Sequence, residues 1–285
     1  MEETKKTPNA DRPSRLSKLK SATIEAGKSR TLPGRDEAEA IEYGRQFLNI
    51  VARIKGVRVD RQQFLIAELR REGIAHTQAQ AAAATSPAAA EVPDEVVTKI
   101  ARRVINFETN KSTALSFIAG LPGGFALLGT VPGDLTQYFV HSFRIMQKLA
   151  YLYGWQEFLE DSKELDDESL AQLALFLGTM IGVGGASNGL VAFAHQVARP
   201  AVQKRIARAA LTKTFYYPVV KKCLQMVGVK VTKDTFAKGV SKAVPVVGGV
   251  LSGAMTYASL KPGALRLMKQ LAELPQANST DRSTH

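Results

Sequence analysis

Four polar residues of the types used in acid–base and ligand chemistry recur along one predicted helix. Asp134, Tyr138 and His141 are spaced i, i+4 and i+7, so a helix places them on one face, and Arg144 follows three residues later. A carboxylate, a phenol and an imidazole in a row can relay protons or hold a ligand. The same residues also fit a structural interpretation, in which Asp134 caps the helix and the two rings find ordinary partners. We favour the structural interpretation and keep an enzyme using this face as the weakest functional hypothesis.

A second candidate for chemistry is the Gly-x-Ser-x-Gly motif at residues 185–189. As a nucleophile elbow, this motif requires a strand before it and a helix after it. Both flanks are predicted to be helical here, so the motif is better explained by small residues that let two helices touch. We therefore predict no catalytic residue in this segment.

Metal and cofactor chemistry find little support in the sequence. The four histidines are far apart and lack paired ligand spacing, and no Walker-type phosphate loop is present. Cys223 is the only cysteine, which excludes an intrachain disulfide and a thiolate metal cluster. We predict neither a metal nor a cofactor.

Three long stretches of the chain carry no charged residue and are rich in glycine. They cover residues 113–133, 169–194 and 243–260. Each is near the length of about 20 residues that crosses a bilayer as a helix. Pro122, Pro132, Pro245 and the glycines interrupt them, which is unusual for plain spanning helices. The stretches could therefore form a packed core, lie on a membrane or cross one.

Glycine pairs in these stretches have the spacing that lets helix backbones approach closely. Nothing in the chain alternates with a period of two residues, so strands are not predicted. We expect an all-α fold, a multi-helix bundle with glycine-rich apolar helical hairpins. The glycines predicted to lie at close helix contacts are Gly182, Gly249 and Gly253.

The net charge of +12 is concentrated in one tract. Residues 199–242 carry a charge of +10, whereas residues 155–168 carry −6. Such a tract predicts an anionic partner, either lipid headgroups or a phosphate backbone, although the solvated face of one or two helices is the simpler alternative. The basic side chains expected to contact an anionic surface are Lys204, Arg205, Arg208, Lys221 and Lys222.

The chain divides into five regions by composition and periodicity. Residues 1–35 are predicted to be a disordered basic tail and residues 36–75 a small helical region, with Asp60 capping its second helix. The Ala-rich segment 76–92 is predicted to be a linker or a frayed helix, and it is the best internal boundary. Residues 93–272 form the main helical domain, with helices predicted to about residue 106 and over 134–153, and residues 273–285 are a second disordered tail.

Several motifs of the main domain resemble the signature of the EcsC protein family. They are Ala-Gly-Leu-Pro-Gly-Gly at 119–124, Thr-Val-Pro-Gly-Asp at 130–134, and Arg144 followed by Leu-Ala-Tyr-Leu-Tyr-Gly at 149–154. The later Lys-Ala-Val-Pro-Val-Val-Gly-Gly at 242–249 is similar to the family's C-terminal motif, and the resemblance covers about residues 95–270. Gly133 and Thr256 are mild departures from it. The resemblance implies a bacterial helical protein, linked to an ABC transporter, with no catalytic residues to carry over.

Taken together, these features favour a non-enzymatic accessory protein on the cytoplasmic face of the inner membrane, peripheral or partly inserted. Its expected partners are an anionic membrane surface and a membrane transporter or other membrane protein. The three uncharged stretches could instead cross the membrane, with the N-terminus inside. Residues 155–168 would then lie outside and residues 199–242 inside, which agrees with the positive-inside rule. A nucleic-acid-binding protein using the basic tract is the main alternative.

Overall fold

The structure, a computed structural model, describes residues 35–119, 133–159, 165–197, 214–240 and 245–277. Every regular element in these residues is an α-helix, which confirms the all-α prediction. The helices are α1 (Arg35–Ala52), α2 (Arg61–Arg71), α3 (His76–Ala84), α4 (Asp94–Ala119), α5 (Gly133–Leu152), α6 (Asp167–Ile181), α7 (Ala186–Val197), α8 (Tyr217–Val240) and α9 (Pro245–Ala272).

Local signals in the sequence account for several helix ends. The Asp60 carboxylate accepts a hydrogen bond of 2.7 Å from the Gln63 backbone N–H, which confirms the predicted cap of α2. Asp166 does the same for α6 by accepting from the Ser169 N–H at 2.7 Å. These carboxylates satisfy N–H groups that the first helical turn leaves without carbonyl partners.

Helix α4 is longer than its sequence pattern predicted. It was expected to end near residue 106, but it continues to Ala119, inside the first uncharged stretch. Its buried face changes from apolar to polar along its length: Val97, Ala101 and Val104 are followed by Glu108 and Ser112 at the same helical spacing. The end was predicted near residue 106 because the apolar periodicity stops there. The helix continues with polar residues at the buried positions.

The Ala-rich segment 76–92, predicted to be a linker or a frayed helix, contains a packed helix. Residues 76–84 form α3, which packs against α2 and buries Ala79, Ala82 and Ala83. The buried guanidinium of Arg61 donates to the carbonyls of Ala83 and Thr85 at the C-terminal end of α3. Small side chains permit the close approach and Arg61 satisfies terminal carbonyls, so this part of the segment is packed structure rather than a linker.

The predicted C-terminal tail also begins too early. Leu274 and Gln276 are buried, and the Gln276 amide donates to the Ala194 carbonyl at 2.8 Å. Residues 273–277 therefore belong to the packed structure. The remaining tail predictions, for 1–34 and 278–285, lie outside the described residues.

The core is built by two groups of helices that share α9. Helix α4 packs against α5 and α9, and α6 packs against α7, α8 and α9. Trp155, in the segment after α5, stacks on Phe193 of α7 with centroids 6.1 Å apart and meets Phe176 of α6 edge-on at 5.2 Å. These rings join the segment after α5 to the second group of helices.

Candidate functional site

The candidate site is a cluster of charged side chains around one buried carboxylate. Glu108 of α4 is 0% exposed, and its Oε2 lies 2.6 Å from Nδ1 of His141. Its other oxygen, Oε1, accepts from Lys148 Nζ at 2.6 Å and from Arg144 Nε at 3.1 Å. The three basic groups are spaced i, i+3 and i+7 on α5, so one face of that helix delivers all of them to Glu108.

Opposing effects set the charge state of Glu108. Burial by itself would raise the pKa of this carboxyl, but the hydrogen bond from His141 and the charges of Lys148 and Arg144 lower it to about 2. Glu108 is therefore a carboxylate at neutral pH. Because an ionised carboxylate can only accept, His141 carries a proton on Nδ1.

The same face of α5 also holds the segment between α1 and α2. The guanidinium of Arg144 donates to the Gly56 carbonyl, in addition to its bond with Glu108. Next to it, the buried Gln147 amide donates to the Val57 carbonyl at 2.9 Å and accepts from the Val59 N–H at 3.0 Å. The cluster thus ties α4, α5 and the 56–59 segment together.

Other polar side chains of α4 and α5 are also buried. Thr109 and Ser112 of α4 are fully buried, and their hydroxyls have no hydrogen-bond partner among the described residues. On α5, Ser142 donates to the Tyr138 carbonyl at 2.7 Å, and the Tyr138 phenol is hydrogen-bonded to Ser259. Both helices therefore carry buried polar side chains beyond the Glu108 cluster.

The four residues singled out on α5 do not form one site. His141 and Arg144 both contact Glu108, whereas the buried Tyr138 phenol is hydrogen-bonded to Ser259. Asp134 lies in the first turn of α5, and its side chain is outside the described residues. The structure thus joins His141 and Arg144 through a residue that the sequence analysis did not select.

Glu108 and Lys148 are the members that sequence reasoning missed. One signal was available: Glu108 continues the spacing of Val97, Ala101 and Val104, so an acid stands where an apolar core residue is expected. A buried acid needs a cation, but the pattern of α4 alone does not say which helix provides one.

The basic tract is only partly described. Lys204, Arg205 and Arg208 lie outside the described residues, whereas Lys221 and Lys222 are on α8. Lys222 is exposed, and its Nζ lies 3.4 Å from the Gly184 carbonyl oxygen. Two large apolar side chains are also exposed in this region. Phe215, just before α8, is 66% exposed, and Met226, one turn after Lys222, is 48% exposed.

The glycine prediction was wrong for Gly182. This residue ends α6 with a left-handed conformation, φ +81°, and a side chain there would meet the Arg266 guanidinium rather than a helix backbone. Gly249 and Gly253 lie within α9, but their surroundings are outside the described residues.

Close helix contacts occur instead at other glycines. A Cβ on Gly228 of α8 would collide with the Ala40 backbone of α1, and one on Gly44 of α1 would collide with the Leu224 backbone of α8. The two helices therefore cross at a reciprocal pair of glycines. Gly178 of α6 is a third such site, where a side chain would collide with Cys223.

No helix in the described part of the chain combines the length and the apolar character needed to cross a membrane. Within the same residues, no group of three or more His, Cys, Asp or Glu side chains is arranged to hold a metal ion.

Comparison with known proteins does not identify relatives. No protein-family model matches the chain, and neither the curated proteins nor the solved structures include a match. The resemblance to the EcsC family therefore stays a prediction from its motifs.

Proposed function

We propose that this chain is a non-enzymatic accessory protein that binds the anionic, cytoplasmic face of a membrane peripherally. The observation that carries the proposal is the surface at the start of α8, here called the Phe215–Met226 face, where exposed apolar side chains accompany lysine. Lys222 and Met226 are four residues apart and so share one side of the helix. Pro218, also exposed, is four residues before Lys222 on that side.

Basic side chains and exposed apolar side chains both contribute to the binding of a peripheral protein to a membrane. A lysine close to an anionic bilayer contributes about 1 kcal/mol, and burying a large apolar side chain contributes about 1.5–3 kcal/mol. The face lies in the tract that carries +10, so its charge suits anionic headgroups. Phe215 and Met226 supply side chains that can enter the interfacial region of the bilayer.

The motifs that resemble the EcsC family extend the proposal to a partner. An accessory role beside a membrane transporter is consistent with a surface that keeps the protein at the membrane. The polar cluster of α4 and α5 fits this non-enzymatic role, because Glu108 and its three basic partners satisfy one another.

The test is cosedimentation of the full chain with vesicles of 30% phosphatidylglycerol in phosphatidylcholine and with pure phosphatidylcholine vesicles. We expect binding to the anionic vesicles that weakens as salt is raised. Lys222→Glu should reduce the partition coefficient at least about fivefold, which corresponds to about 1 kcal/mol. Phe215→Ser combined with Met226→Ser should reduce binding at both low and high salt.

Matched control variants test whether binding depends on this face or on the charge and exposed apolar side chains of the protein in general. Lys55→Glu makes the same charge change at an exposed lysine outside the basic tract, and Ile50→Ser removes an apolar residue that is exposed on α1. Neither control should alter binding by more than about twofold. Equal losses in the control and test variants, or tighter binding to duplex DNA than to the anionic vesicles, would reject the membrane proposal.

A further inference from the structure

A partly open cavity of about 150 Å³ lies where the N-terminal end of α4 meets the C-terminal end of α5. Val97 and Leu152, both buried, form part of its apolar wall. Ala88, in the turn after α3, lines another side. An apolar cavity of this size accommodates a molecule of about six heavy atoms, and a polar one holds several waters.

One acidic residue and two residues with hydroxyl groups line the cavity. Asp94, in the first turn of α4, is the charged residue among those that line it, and it is exposed. Thr98 and Tyr153 bring two hydroxyl groups to its wall. Burial raises the pKa of Tyr153, so its phenol remains neutral beside Asp94.

Two cationic side chains lie beside this cavity without lining it. Lys99 and Arg102 line a neighbouring open groove that Asp94, Glu95 and Thr98 also border. Lys99 forms an ion pair with Glu72 at 2.7 Å, which engages it on the side of α2. The charge of Arg102 acts on Tyr153 in the opposite sense to that of Asp94, but among these charged groups Asp94 alone lines the cavity.

We propose that this cavity is a binding site for a small organic amine, with the ammonium group on the Asp94 carboxylate and a compact apolar body against Val97 and Leu152. The hydroxyl pair of Thr98 and Tyr153 supplies additional acceptors for the ammonium protons. A carboxylate at the mouth and apolar side chains in the wall match the two ends of such a molecule. This inference is independent of the membrane proposal.

The test is isothermal titration of the full chain at pH 7 with three probes of one shape: cyclopentylamine, cyclopentanol and cyclopentanecarboxylate. We expect the amine to bind at least about tenfold more tightly than the alcohol, because only the amine gains a charge-assisted contact. The carboxylate should bind more weakly than the alcohol. Absence of amine binding, or equal binding of amine and alcohol, would overturn the proposal.

Paired variants locate the site. Asp94→Asn should weaken amine binding at least about tenfold and leave alcohol binding within about twofold, whereas Glu95→Gln, the neighbouring acid outside the cavity wall, should change neither. Ala88→Leu should fill the cavity and abolish binding of both probes, whereas Ala89→Leu, at the exposed next residue, should preserve it. An equal loss of amine binding in Asp94→Asn and Glu95→Gln, or full binding in Ala88→Leu, would place the amine elsewhere and refute the site.

Discussion

Replacing Glu108 by glutamine tests whether the buried carboxylate holds the fold together. Glutamine keeps the size and planar shape of the side chain but removes its negative charge. The lysine, arginine and histidine of α5 would then surround a neutral amide in a fully buried position. We expect Glu108→Gln to destabilise the protein strongly while leaving its helical content intact.

Two estimates of the magnitude agree. Removing one partner of a buried ion pair costs about 3–5 kcal/mol, because the remaining charge stays buried without compensation. Independently, the lowering of the Glu108 pKa from 4.5 to about 2 corresponds to roughly 3 kcal/mol of stabilisation of the folded state. We therefore expect the free energy of unfolding to fall by about 3 kcal/mol at pH 7.

The sign of the pH dependence follows from the direction of this shift. The folded-state pKa lies below the unfolded-state value, so the contribution of Glu108 is complete above about pH 4.5. It is lost as pH falls from 4.5 toward 2, because the unfolded chain takes up the proton first. Glu108→Gln should remove this part of the acid sensitivity.

The assay is urea unfolding followed by circular dichroism at pH 7 and at pH 3. Glu95→Gln is the matched control, because it neutralises an exposed acid on the same helix and should leave the unfolding midpoint nearly unchanged. Combining Glu108→Gln with Lys148→Met should cost less than the sum of the two single changes, since each removes the other's partner. A loss below about 1 kcal/mol for Glu108→Gln, or strict additivity in the double variant, would refute the account of the cluster.

Three further predictions address caps, helix crossing and thiol chemistry. Asp60→Ala should lower the free energy of unfolding by about 0.5–2 kcal/mol in urea denaturation, whereas Asp60→Asn should be nearly neutral, because asparagine caps about as well. Gly228→Ala should lower the melting temperature in calorimetry, because its methyl group would collide with the α1 backbone. Gly184→Ala is the control and should have a smaller effect, because only the flexible end of the Lys222 side chain lies nearby. The Cys223 thiol is buried and burial raises its pKa to about 12, so iodoacetamide should label it at pH 8 only after unfolding; rapid labelling of the native protein would contradict this.

Local chemistry explains why much of the helical structure was predictable. Asp60 precedes a run of apolar residues at helical spacing, so its role as a cap follows from neighbours within one turn. Helix α5 was predicted over 134–153 and runs Gly133–Leu152, because its apolar stripe is long and continuous. In contrast, the Ala-rich composition of 76–92 left a linker and a frayed helix both open. Residues 76–84 form α3, and its small side chains pack because α2 and Arg61 lie against them.

The candidate site shows where local information ends. The sequence alone places His141 and Arg144 on one helical face, because their spacing matches the helical repeat. Tertiary packing brings both of them to Glu108, which lies 33 residues before His141. It also decided that Gly228 rather than Gly182 lies at a close helix crossing. Such pairings depend on the rotation and crossing point of two packed helices, which are set by side-chain interdigitation over the whole interface and not by the pattern of either helix alone.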